Sequence, residues 1–162
     1  MKFEIKRRFT GAVKFTTEIE AQEDAPASVK LRLAVLWAIE NKVDLSGSNL
    51  SGSDLSNCNL RGSNLSDCDL SNCNLSGSDL RGSNLSDCDL SGSDLRDCDL
   101  RVLQTDIWTV YVQKDTIRIG CQYHSISDWG QFTDDQIANM HRRALIWWKI
   151  WKDVIFAIHA TI

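Results

Sequence analysis

Leucine returns at every fifth position of one stretch of the chain, from Leu45 through Leu50 and Leu55 to Leu100, twelve times without a break in register. A period of five fits neither the 3.6-residue turn of a helix nor the two-residue alternation of a strand. Each pentad therefore has to be one short extended segment followed by a corner, and chains that repeat such a unit stack into solenoids. The leucine is the one large apolar residue of its pentad and must face inward. Two places before it stands Ser or Cys, with Val43 the one exception. That small residue shares the inward face, because side chains alternate along extended backbone. Asp or Asn always separates the two, and Gly, Asn or Asp in the second place after the leucine supplies the corner conformations.

Residues 60–71 and 80–91 are the same twelve letters, LRGSNLSDCDLS, which makes the larger period twenty, or four sides of five residues per coil. Residues 43–102 then give about three coils. At a strand spacing of roughly 4.8 Å they form a stubby prism on the order of 15 Å long. This register, with Asp or Asn before each leucine and a small residue before that, resembles the pentapeptide-repeat family. The resemblance covers these sixty residues and implies a right-handed quadrilateral β-helix. It leaves function open, since family members range from gyrase-protecting DNA mimics to proteins with no known role. The sequence departs from the family in carrying Ser and Cys where Ala is commoner, which places hydroxyls inside that need backbone partners.

The flanks read as caps, because a solenoid exposes its end coils. Before the repeats, residues 1–42 carry a hairpin signal: Phe3 and Ile5, a turn at Thr10-Gly11, then Val13, Phe15, Thr17 and Ile19. Pro26 then opens a capping helix to about Lys42, with Val29, Leu33, Leu36, Trp37 and Ile39 as its apolar positions. After the repeats, residues 103–162 read as an α/β cap. Residues 107–112 and 116–122 form a second hairpin around Lys114-Asp115, and the Thr133/Gln136 capping box starts one long helix towards Ile158. Its apolar residues fill about half the circumference, more than one contact buries. Trp147, Trp148, Trp151, Ile155 and Ile158 are the expected homodimer interface. The fold class expected is thus mainly β, a β-helix of about three coils with a hairpin-plus-helix flank on each side.

The opening FEIKRRFTG and the later IRIGCQYH resemble small proteins encoded by tailed phages and prophages. That resemblance implies an accessory protein in the cytoplasm of a bacterial host, with no catalytic role attached. Twenty-two acidic against eighteen basic residues, a net charge of −4, argue against direct nucleic-acid binding. No apolar run reaches about 18 residues and no signal peptide opens the chain, so a soluble, non-secreted protein with free thiols is expected and membrane binding is not.

The chemistry-bearing residues are few. Cys58, Cys68, Cys73, Cys88 and Cys98 sit at inward positions as compact fillers, and their spacing is that of the repeat rather than of a zinc site. Alternation through Ile117, Ile119, Cys121 and Tyr123 places Cys121 on an apolar face, against its pairing with His124 as nucleophile and base. Phosphate loops and hydrolase or zincin motifs are missing, so no enzyme, metal or cofactor is expected. On the outer faces, Arg61, Arg81 and Arg101 recur every twenty residues as a ladder that suits a small anionic ligand. Asp67, Asp69, Asp87 and Asp89 form an acidic ridge, and the repeats carry ten Asp against four Arg. Regular carboxylates on a narrow prism are the physical basis of DNA mimicry, although about 15 Å matches only four or five base pairs.

The reading is therefore a non-catalytic, phage-type accessory protein that engages a host protein or small anionic ligand. A DNA-mimic inhibitor of gyrase or another DNA-handling enzyme is the first alternative, and a Cys/His-dependent enzyme the second. Ice binding by the Ser46, Ser66 and Ser86 column is opposed by the charges on its neighbours.

Overall fold

A computed structural model describes all residues 1–162. The chain forms two compact units, Met1–Cys98 and Asp99–Ile162.

In the first unit, β1 (Lys2–Arg7) and β2 (Val13–Glu18) pair antiparallel, Lys2 opposite Glu18 and Ile5 opposite Phe15. Helix α1 (Ala27–Glu40) lies on this hairpin, with Trp37 stacked on Phe15. Its fully buried residues are Ala34, Val35 and Ala38, while Val29, expected inside, is exposed. The two alanines give the helix a flat stripe that lets its backbone approach, and the larger residues splay to its sides. The strand β3 (Ser48–Asn49) pairs antiparallel with the end of β1, tying the hairpin to the start of the repeats.

The repeats then climb by twenty residues per turn. Asn49, Asp69 and Asp89 bridge in parallel, as do Asp54, Asn74 and Asp94, and likewise Asn59 with Asp79. The leucine N–H groups carry this stacking: Leu50 donates to the Asp69 carbonyl (2.8 Å), Leu60 to Asp79 (2.9 Å) and Leu70 to Asp89 (2.8 Å). Each rung therefore satisfies its backbone on its neighbour, as burial of the leucine requires. From Leu45 to Leu85 every leucine of the register is at most 2% exposed, whereas Leu90 and Leu95 are half-buried.

Local chemistry explains the other positions of the pentad. The Asp or Asn before each leucine accepts from the N–H two residues on, as Asp69 does from Ser71 (3.0 Å) and Asn74 from Ser76 (3.1 Å). Corner residues take left-handed backbone, Gly62 at φ 68°, Asn57 at 54° and Asp67 at 59°, which only Gly, Asn and Asp adopt cheaply. The inward hydroxyls find partners: Ser63 donates to the Leu60 carbonyl (2.6 Å) and Ser78 to Leu75 (2.6 Å), Ser93 reaches Leu70 in the turn before (2.5 Å), and Ser53 pairs with Cys73 Sγ (3.2 Å). Ser48 Oγ is the exception, fully buried and without a partner.

The second unit is an antiparallel sheet of β4 (Leu100–Gln104), β5 (Thr109–Gln113), β6 (Thr116–Ile119) and β7 (Gln122–Ser125), in that order. The expected hairpin is β5–β6; β4 and β7 extend it on either side. Gly120, at φ 54°, ends β6 at Ile119, three residues before the end of the expected run at Gln122.

Helix α2 (Ile126–Gln131) starts at Ser125 in a capping box with Asp128. The single long helix expected from Thr133 is instead two. The Thr133/Gln136 box does open α3 (Asp134–Met140), but His141 is extended (φ −165°, ψ 149°) and the chain restarts as α4 (Ala144–His159). This break lets α4 lay its tryptophan face on the sheet. Trp147, Trp148 and Ile155, expected at a dimer interface, are buried in their own unit with Val110, Val112 and Ile117. Trp151 donates to Asp106 (3.2 Å) and Ile158 packs on the same core. No helix is long and apolar enough to cross a membrane.

A buried hydroxyl without a partner costs more than it contributes, so Ser48→Ala raises stability in urea denaturation by about 1 kcal/mol. Leu70→Ala, which empties a filled interior position, lowers it by about 2–5 kcal/mol. Equal losses from both variants would contradict this account of the interior.

Candidate functional site

The C-terminal unit folds around a cavity of about 90 Å³. Four of the six tryptophans, Trp108, Trp129, Trp147 and Trp148, line it, and Met140, His141 and the exposed Cys121 stand among its other walls. Each wall has a local cause. Trp108 precedes β5 and rests on Gly120, where a Cβ would lie 2.8 Å from its ring, so only glycine admits the indole there. Trp129 is placed by α2 and donates to the Ile117 carbonyl (2.8 Å), and Trp147 donates to Thr105 Oγ1 (3.0 Å). Their polar N–H groups are thus spent, and the rings serve as apolar surface. Trp108 meets Trp147 and His141 edge-on at 5.1 and 5.3 Å between centroids. The extended backbone at His141 that divides α3 from α4 turns this imidazole towards Trp108. The lining is apolar and aromatic, with Gln122 and His141 as its polar members. No Lys, Arg, Asp or Glu is among the residues that line it.

Cys121 and His124 are not arranged as nucleophile and base. Because the chain turns at Gly120, Cys121 is exposed rather than on the core face expected from alternation. The His124 imidazole pairs with Gln122 Oε1 (3.2 Å) and packs edge-on against Trp129 and Phe132. In the repeats, burial pushes the Cys68 thiol up to about 11 and the Cys88 thiol up to about 12, which keeps both protonated fillers.

The outer faces are engaged within the chain. Arg81 donates from Nε to Asp79 (2.8 Å), and that hydrogen-bonded pair holds the Asp79 carboxyl down at about 2. Arg96 and Asp94 repeat the arrangement with the same effect on Asp94. Arg61 is exposed, beside Asn59 in place of an Asp. Arg101 lies on β4 opposite Val112 and donates to the Leu100 carbonyl (3.0 Å).

On the acidic ridge, Asp69 and Asp89 close turns onto Ser71 and Ser91, and Asp67 and Asp87 are left-handed corners. Arg8, just past β1, reaches over this ridge. It donates to the Asp87 carbonyl (2.8 Å) and the Asp67 carbonyl (3.4 Å), with Asp89 Oδ2 at 3.7 Å. Arg32 does the same at another corner, on the Asp54 and Ser56 carbonyls (3.0 and 2.8 Å), and Lys14 joins Arg8 at the first, on the Ser46 carbonyl. Basic residues of the N-terminal segment thus face two edges of the repeats, and the ridge is not a bare row of carboxylates.

Residues 41–77 and 63–101 match the family of pentapeptide repeats, in eight copies. The segment is a pentapeptide-repeat array. Such repeats build a quadrilateral β-helix, mainly β with helices beside it, and the proteins that carry them are typically non-catalytic scaffolds. Among solved structures, the chain is similar to a pentapeptide-repeat protein from Nostoc Pcc 7120, with 28% identity over 41% of this chain and 74% of that one, at a TM-score of 0.29. It is also similar to the pentapeptide-repeat protein Rfr23 from the cyanobacterium Cyanothece 51142, with 33% identity over 34% of this chain and 42% of that one, at a TM-score of 0.22. A comparison with curated proteins gives no match.

The Asp79–Arg81 pair of the array has a measurable signature. A carboxyl held at about 2 when folded and near 3.9 when unfolded stabilises the fold above pH ~4, and the contribution is lost as pH falls through 2. NMR titration places the Asp79 midpoint near 2 in the native protein and moves it up towards 4 in Arg81→Ala. An unchanged midpoint in that variant would show that the arginine does not hold the carboxylate.

Proposed function

We propose that the protein is a non-catalytic binding protein in which the pentapeptide-repeat array is a rigid scaffold and the C-terminal unit takes up a small apolar molecule. The observation that carries this reading is the cavity walled by Trp108, Trp129, Trp147 and Trp148. An apolar hollow of about 90 Å³ is smaller than the ~150 Å³ engineered cavity that holds benzene. It suits a short alkyl or similarly compact group. Gln122 and His141 offer the polar contacts that would hold a hydroxyl or carbonyl end near the exposed Cys121.

A small anionic ligand on the arginine ladder has weaker support, because Arg81 is engaged by Asp79 and Arg101 donates within its own strand. The DNA-mimic reading is opposed by Arg8, whose charge lies on the ridge that would have to imitate phosphates.

Intrinsic tryptophan fluorescence tests the proposal directly. In titrations with straight-chain alcohols from ethanol to hexanol, saturable changes are expected, with affinity rising up to about fourfold for each CH₂ added until the cavity is full. Ala144→Phe, which places a ring in the cavity of a protein whose circular dichroism is checked to be native, is expected to abolish them. Linear, non-saturating responses that are identical in the variant would sink the proposal.

A further inference from the structure

Helix α4 turns one face to its own core and leaves the opposite face bare. Ile146, Ile150 and Val154 are 72%, 64% and 42% exposed, and their spacing of four residues sets them in one stripe that the exposed Ala157 continues. Large aliphatic side chains this exposed, in a row and not scattered, mark a surface that is covered by something. The charges beside the stripe indicate what. Lys149 and Asp153 lie on the same flank, four residues and one helical turn apart, with opposite signs.

We infer that this stripe joins two copies of the chain, with the α4 helices of the two copies antiparallel about a two-fold axis near Ile150. In an antiparallel two-fold pair, equivalent flanks face each other and run in opposite directions. Lys149 of one copy then stands opposite Asp153 of the other, and the symmetry makes this contact twice. Ile150 meets its own copy close to the axis and Ile146 meets Val154 on either side, so the apolar stripe is self-complementary as a two-fold contact demands. A parallel pairing offers Lys149 no Asp153, because the same flanks then point away from each other.

Lys149 already holds Asp134 of its own chain at 2.7 Å, with both side chains more than half exposed. An ammonium has three donors, so it can hold the second carboxylate as well. A sixteen-residue helix is ~24 Å long, and one stripe of that length makes a modest contact. The dimer is therefore reversible and concentration-dependent, and not obligate. The residues that form it are not those of the tryptophan face, which is spent on the core.

Sedimentation velocity of the full chain over 1–200 μM gives the test. The native protein is expected to pass from the 18.3 kDa monomer to twice that mass as concentration rises. Ile150→Lys sets two like charges on the axis and is expected to leave a monomer at every concentration. Since Ile150 is solvent-facing in the monomer, its melting temperature at low concentration stays that of the native protein. Asp153→Lys weakens the dimer at least tenfold, and the exchanged pair Lys149→Asp with Asp153→Lys restores it, which a merely sticky surface does not do. A native protein that remains monomeric at 200 μM overturns the proposal, as does a dimer unaffected by Ile150→Lys or a weakened dimer that the exchanged pair does not rescue. Monomers that co-sediment with phosphatidylglycerol vesicles through the same stripe overturn it in favour of a lipid surface.

Discussion

From Leu50 to Leu75 the backbone N–H of each inward leucine is donated to a carbonyl nineteen residues further on, and most of the array follows from that bond. A buried amide must be paired, and a leucine whose side chain fills the interior has its amide buried with it. Pairing by rungs obliges the chain to return to the same place every twenty residues. Four corners are then needed per turn, and left-handed backbone at Gly, Asn and Asp supplies them. The Asp and Asn side chains before the leucines close their own local turns, so the residues that look most like a ligand-binding surface are first of all part of the backbone's hydrogen bonding.

That constraint also accounts for how the two units differ. The repeats satisfy themselves internally, and their charges are engaged nearby: Arg81 with Asp79, Arg96 with Asp94, and Arg8 over the Asp67, Asp87 and Asp89 corner. Several of the array's charges are thus taken up within the chain. The C-terminal unit is built the other way. Its sheet and broken helix gather indole rings around a small hollow beside a packed core, with the N–H groups of Trp129 and Trp147 bonded to their own unit.

The array was legible in the sequence almost residue by residue, because period five is incompatible with any other regular backbone. The C-terminal unit was legible only locally. The Thr133 box and the β5–β6 hairpin depend on neighbours within a few residues, and both formed. The break at His141 did not announce itself, since neither Gly nor Pro marks it and the residues on both sides continue a helical pattern. It is a tertiary effect, driven by the area that Trp147 and Trp148 bury once α4 can reorient. The cavity stayed hidden for the same reason. Trp108, Gln122 and the Met140-His141 pair come from separate elements of the sequence, and the one local hint was Gly120, whose missing side chain makes room for Trp108.

The rungs hold one another as a unit, and native-state hydrogen exchange reads this most directly. The amides of Leu50, Leu55, Leu60, Leu65, Leu70 and Leu75, all donated to the next turn, are expected to be strongly protected and to open with one common free energy. Rapid exchange at Leu60 or Leu65, or separate opening free energies for successive leucines, would mean that the pentads do not stack as described.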